Sequence, residues 1–348
     1  MIKPKFHFCV TLQQRKFSQL LYTIKQRKLK RSFYIVLILL ISFSASSQLS
    51  PEKERQVDSL QTIISNAEHD TTIIYAWWEW DILIYDSDPD LDYKLLQKMD
   101  SLCSINLSKE LKPKERYMYL EAGGFALDGF GLIYYDRGEY DKAISYFFQS
   151  LKIFEEIGDT DETFSTLEII GISYNELGEY DKAIEYQIKC LKILEEIGDK
   201  PEISNALNNI GISYSARGEY DIAIEYYSQS LEIKKELGDK PGVSSCLLNL
   251  GNGYKNQGNF EKAIEYYSQS LKIKEQVGDK KGVALVLTKF GSIYRVQGDF
   301  EKAIDYQSQS LEIYEEIGYK RGKAIALHSI GLIHQEQGEY DRAMDFYS

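Results

Sequence analysis

The chain has 348 residues, 43% of them hydrophobic and 27% charged, which excludes a disordered tail and is ample for a folded core. Its formal net charge is −12, yet nine cations (Lys3, Lys5, Arg15, Lys16, Lys25, Arg27, Lys28, Lys30 and Arg31) sit in a leading stretch without a single acid, so −12 becomes −21 for the rest. A body that acidic repels phosphate backbones, and nucleic acid is not an expected partner.

Behind the basic stretch runs an apolar segment from Phe33 to Phe43, followed by small polar residues. That is the layout of a secretory signal peptide, with Ala45 and Ser47 placed for cleavage before Gln48. The apolar run is shorter than the about 20 residues a helix needs to cross a bilayer. Residues 1–47 are therefore expected to be a leader. The protein is expected to be exported, periplasmic or membrane-associated, in a bacterium. The basic segment is longer than an ordinary leader's, which suggests a misplaced start codon, and no lipid-anchor cysteine follows it.

Residues 48–112 read as an N-terminal helix (51–68) and a degenerate repeat from about Thr71 to Glu110. Trp77, Trp78 and Trp80 on its first helix are expected to shield an open edge. The acidic string Asp86, Asp88, Asp90 and Asp92 resembles the start of a calcium loop, but Leu91 replaces the glycine and Gln97 the late glutamate. Asp88 and Pro89 fit better as the cap and first residue of a helix, and no metal is expected.

Residues 113–348 repeat every forty residues in six units, the last cut short. Gly131, Gly171, Gly211, Gly251, Gly291 and Gly331 mark the period, and Ala143, Ala183, Ala223, Ala263, Ala303 and Ala343 follow twelve residues later. Tyrosine stands three after each glycine until His334 replaces it, and a second glycine stands seven after. In one unit Leu207, Ile210, Gly211 and Tyr214 form a buried helical stripe, Gly218 ends that helix, and Tyr220, Ala223, Tyr227, Ser230 and Leu231 line the next. Gly238 suits a left-handed helix end, and Asp159 and Asp199, each three before a glutamate, suit capping boxes. Small residues at Gly211 and Ala223 allow two helices to cross closely.

Leu207, Ile210, Gly211, Tyr214, Gly218, Tyr220, Ala223, Tyr227 and Leu231 together resemble the tetratricopeptide-repeat signature. The forty-residue unit is similar to the longer variant of kinesin light chains and Pins-type adaptors, and to sensor regions of exported bacterial signalling proteins. The resemblance implies an all-α solenoid of antiparallel helix pairs in a right-handed superhelix, binding a peptide or protein along its concave face. Gln187 and Gln307, standing in the Tyr227 column, are expected to weaken packing locally.

Catalysis lacks its parts: there is no phosphate-binding glycine loop, zinc-protease motif or nucleophile elbow, so neither an enzyme, a small-molecule substrate nor a cofactor is expected. Cys103, Cys190 and Cys246 follow no metal spacing, and Cys190 and Cys246, at small-residue positions of the repeat, read as buried small hydrophobes. His334, in the tyrosine column, reads as a packing substitution without partners.

The groove implied by the resemblance is lined by residues three before, one after and four after each repeat glycine. It runs from Asp128, Leu132, Tyr135, Glu168, Ile172 and Asn175 through amides to cations. Asn208, Asn252, Lys255, Ser292, Arg295 and His328 are the ligand candidates, and an acidic peptide is the expected fit for Lys255 and Arg295. The Lys-and-Asn pair with which some family members grip a chaperone's C-terminal carboxylate is missing at the corresponding positions. The alternative is the sensory region of a membrane-bound histidine kinase or nucleotide cyclase whose output domain lies beyond Ser348.

Overall fold

The computed structural model describes residues 50–85 and 87–347. The expected leader, Asp86 of the acidic string and Ser348 lie outside them. Fifteen α-helices and no strands occur among the described residues, and none of the helices is long and apolar enough to cross a membrane. The chain divides into two compact units, one ending at Ile133 and one beginning at Tyr134.

The first unit contains α1 (Pro51–Ser65), α2 (Asp70–Ile84), α3 (Pro89–Leu107) and most of α4 (Pro113–Asp136). Ser50 caps α1 by accepting from the Lys53 amide, and Asp88 caps α3 by accepting from Leu91 at 3.1 Å, with Pro89 in the first turn. The tryptophans do not stand at an open edge. Trp77 and Trp80 pack with Val57 of α1, Ile84 and Leu95, while Trp78 stacks on Phe125 with ring centroids 4.5 Å apart. Asp92 is also more than a capping acid. It is buried beside the buried Asp81, and burial, with a hydrogen bond to Asp92, pushes the Asp81 carboxyl well above the usual range.

The second unit is a solenoid of helical hairpins: α5 (Tyr140–Ile157), α6 (Thr160–Leu177), α7 (Tyr180–Ile197), α8 (Lys200–Arg217), α9 (Tyr220–Glu236), α10 (Lys240–Asn256), α11 (Phe260–Gln276), α12 (Lys280–Val296), α13 (Phe300–Glu316), α14 (Lys320–Glu336) and α15 (Tyr340–Tyr347). Even-numbered helices from α6 to α14 are first helices of their units, and the helix after each is its partner. Gly218, at φ 93°, terminates α8 in a left-handed conformation that favours glycine. Asp159 and Asp199 cap α6 and α8 by accepting from the amides of Glu162 and Glu202. At the second helices the cap depends on one residue: Asn259 and Asp299 accept from the backbone, whereas Glu139, Glu179 and Glu219 make no side-chain cap.

The repeat glycines sit at crossings too tight for a side chain, and Gly131, on α4 of the first unit, is buried as they are. A Cβ on Gly251 would lie 2.4 Å from the Tyr267 ring, and one on Gly211 2.6 Å from Tyr227. The alanines facing the crossings within the second unit, Ala183, Ala223, Ala263, Ala303 and Ala343, are all buried, and Ala143 is buried too. A second lock runs through the buried serines of the partner helices. Ser230, Ser270 and Ser310 each donate to a first-helix carbonyl 26 residues upstream, at 2.6–2.8 Å. Cys190 occupies the same column and reaches the Phe164 carbonyl at 3.4 Å, so its thiol does more than fill space. Burial drives that thiol's pKa upward, which leaves it unreactive.

Each hairpin also carries a stacked aromatic pair, among them Tyr214 on Tyr226, Tyr254 on Tyr266 and Tyr294 on Tyr306, with centroids 5.4–5.5 Å apart. Lys262 and Lys302 sit over the Tyr254 and Tyr294 rings. His334 keeps this role by stacking on Phe346. It is not without a partner, because its Nδ1 lies 2.9 Å from Glu339 Oε2.

Candidate functional site

The first helices of neighbouring hairpins touch through polar side chains. Asn209 Nδ2 of α8 donates to Glu168 Oε1 of α6, and Asn249 Nδ2 of α10 donates to Asn208 Oδ1 of α8, both at 2.9 Å. The spacing is 41 residues in each case. A residue three before one repeat glycine therefore meets a residue two before the next, and together they form a polar ladder along the first-helix face. Asn175 of α6 and Ser213 of α8 add a rung at 2.6 Å.

Among the six expected ligand residues, five line this face in half-buried positions. Asn208 is a rung. Asn252 accepts from the Tyr267 hydroxyl at 2.7 Å, which fixes its amide from beneath. Ser292 lies one turn before Arg295 on α12, and the Arg295 guanidinium is engaged with Glu336 of α14. Lys255 is half-buried, and burial with Arg295 nearby lowers its pKa. His328 stands apart from these. It is exposed, its ring meets Tyr347 at 5.5 Å, and it lines a cavity of about 630 Å³ with Leu327, Leu332, Gln335 and Phe346.

Three positions expected to line the groove are buried instead: Leu132 in the first unit, Tyr135, and Glu168. Tyr135 turns its ring edge-on to Tyr140, which closes it off from solvent. Glu168 has only one hydrogen-bonding rung, from Asn209. Burial and the neighbouring Glu202 push its carboxyl up to about 8. At neutral pH this end of the ladder presents a protonated acid, not an anion.

The expected set omits Lys289, which lies two before Gly291 in the column that also holds Asn209 and Asn249. It is half-buried, and burial together with Lys255 lowers its pKa. The face therefore runs from a neutral acid through carboxamides to Lys255, Lys289 and Arg295. Among the described residues no group of histidines, cysteines and acids is placed to hold a metal.

Helical hairpins of about forty residues, each locked by a glycine crossing and stacked into a single row, define a repeat scaffold with one continuous first-helix face. The tetratricopeptide repeat model matches residues 125–196, 162–236, 202–276 and 282–348, well over half of the sequence, and the chain belongs to that family. No curated protein matches it significantly. Solved structures with a similar fold include the apo form of RapI (18% identity, 79% of this chain and 95% of that one, TM-score 0.61). BtubC (BKLC) from P. vanneervenii is 20% identical over 66% of this chain and 93% of its own, with TM-score 0.56. NprR in complex with its cognate peptide NprX is 14% identical over 86% of this chain and 77% of its own, with TM-score 0.51. Identities this low show a shared fold alone.

Proposed function

We propose that this chain is a protein-interaction scaffold whose first-helix face holds an extended peptide segment of a partner protein. The reading is carried by the polar ladder of α6, α8 and α10, where Asn209 meets Glu168 and Asn249 meets Asn208. A carboxamide offers donors and an acceptor at one terminus, the combination a peptide backbone requires, and half-buried amides already held in place lose little freedom on binding. Ile212, 41% exposed beside Asn208, offers an apolar contact for a side chain. The NprR–NprX complex supports the reading in so far as a similar solenoid there holds a peptide.

The test is selection of peptides from a random display library against the full chain, followed by affinity measurement on Asn208→Ala/Asn249→Ala. At least a tenfold loss with unchanged circular dichroism is expected. Undiminished binding would move the site away from the first helices. Export is proposed as well, on the leader pattern. Amino-terminal sequencing of the exported protein should then begin at Gln48, and a retained leader would overturn it.

A further inference from the structure

We infer that Lys255 and Lys289 form an anion subsite that takes a carboxylate of the bound peptide, so that the partner segment is acidic where it crosses α10 and α12. This rests on the proposed peptide-binding face and assigns the ligand chemistry of one part of it.

The other lysines that are buried or half-buried among the described residues each find an acceptor. Lys53 donates to the Leu83 carbonyl, Lys234 pairs with Asp239 and Lys274 with Asp279. Lys255 and Lys289 do not. Neither ammonium makes a hydrogen bond or ion pair with any described residue, although both side chains are half-buried. The charge that acts on Lys289 is Lys255, and the one that acts on Lys255 is Arg295, so each ammonium faces a like charge. Arg295 is itself tied to Glu336, which leaves the two lysines as the uncompensated positive centre of the face.

Bringing like charges together in partial burial costs folding free energy, and an ammonium has three donors to satisfy. A carboxylate between the two amines offsets both costs: it removes the repulsion and accepts from both sides. The surroundings fit a carboxylate borne on a peptide. Asn252 lies on the same helix as Lys255, three residues before it, and Ser292 lies three residues after Lys289, so neutral donors and acceptors flank the charged pair. The strongly negative remainder of the chain repels a polyanion such as nucleic acid, while one or two carboxylates are accommodated.

The experiment uses a rhodamine-labelled octapeptide of alternating Glu and Ala, its Gln–Ala counterpart, and the full chain, read by fluorescence anisotropy at low and physiological salt. The Glu–Ala peptide is expected to bind at least tenfold more tightly. Lys255→Gln/Lys289→Gln should abolish that preference, whereas Lys235→Gln/Lys272→Gln, which removes two exposed lysines, should keep it. Equal binding of the two peptides, or an unchanged preference in Lys255→Gln/Lys289→Gln, overturns the subsite. So does competition by millimolar inorganic phosphate equal to that of the peptide, which would mark a site for small anions. Peptides from the display selection that bind through Asn208 and Asn249 with no preference for acid would overturn the subsite while leaving the peptide-binding face intact. Should the double variant fail to fold, NMR of the dimethylated wild-type lysines decides. The Lys289 signal should shift on adding the Glu–Ala peptide and its pKa should rise, and an unmoved signal overturns the assignment.

Discussion

Four hairpins place the same glycine at the same crossing and fill the space above it in two ways. Tyr227 and Tyr267 lie over Gly211 and Gly251, whereas Gln187 and Gln307 lie over Gly171 and Gly291. All four side chains are buried to within 3% exposure, so the difference is one of chemistry and not of access. The tyrosines fill the crossing with a ring and pass a hydroxyl through to the first-helix face, where Tyr267 holds Asn252 and Tyr227 meets Ser215. The glutamines stop short inside. Gln187 accepts from Ser213 and Gln307 donates to the Thr288 carbonyl, but Gln187 Nε2 and Gln307 Oε1 are buried without a partner. Glutamine thus leaves a polar group whose desolvation is not returned, and tyrosine joins the core to the first-helix face.

The sharpest way to break the comparison is Tyr267→Ala, which removes a fully buried ring and its hold on Asn252. A loss of about 3–5 kcal/mol is expected by denaturant unfolding. Next in size is a pH effect on the glutamine side. Glu168 belongs to the Gly171 hairpin and its pKa rises to about 8 on folding, so the folded chain binds more protons than the unfolded one. Stability should therefore fall as pH climbs from the ordinary glutamate range to about 8, by up to roughly 1.4 kcal/mol per unit, and level off above it. Melting curves between pH 5 and 9 would record that slope, and Glu168→Gln should flatten it while keeping an acceptor for Asn209. Gly251→Leu drives a side chain into Tyr267 and should cost about 1–3 kcal/mol, with an unchanged melting temperature contradicting the tight crossing. Smallest and opposite in sign, Gln307→Met should stabilise by about 1 kcal/mol, since it removes the unpartnered Oε1 at little change of volume. A destabilised Gln307→Met chain would show that the Thr288 contact outweighs the orphaned oxygen.

Periodicity made most of this readable beforehand. The glycine and alanine columns recur because close crossings tolerate nothing larger, and the turn glycines because a positive φ favours them. Substitutions within a column were harder to weigh. His334 lost a hydroxyl but gained Glu339 and kept a stacking partner, and the cost of Gln187 and Gln307 lies in single unpartnered atoms that no pattern displays. All six expected residues lie on first helices, five of them half-buried and His328 exposed, while Lys289 falls outside the three offsets assigned to the groove, at a fourth two before the glycine. Asn209, Asn249 and Lys289, three polar residues in one column, each directly before a buried apolar residue, were the signal for it. Glu168 was legible as an acid but not as a neutral one, because its environment is set by burial in the packed hairpins and then by Glu202, 34 residues away.

The distribution of aromatic rings gives the molecule an optical division of labour. All three tryptophans, Trp77, Trp78 and Trp80, belong to the first unit, whereas the face-to-face tyrosine pairs, from Tyr134 on Tyr146 to Tyr294 on Tyr306, belong to the second. Excitation selective for indole therefore reports on one unit alone, and the near-ultraviolet dichroism of stacked phenols is weighted towards the other. With no added label, one sample followed at two wavelengths can distinguish an unfolding that takes both units together from one that begins in either.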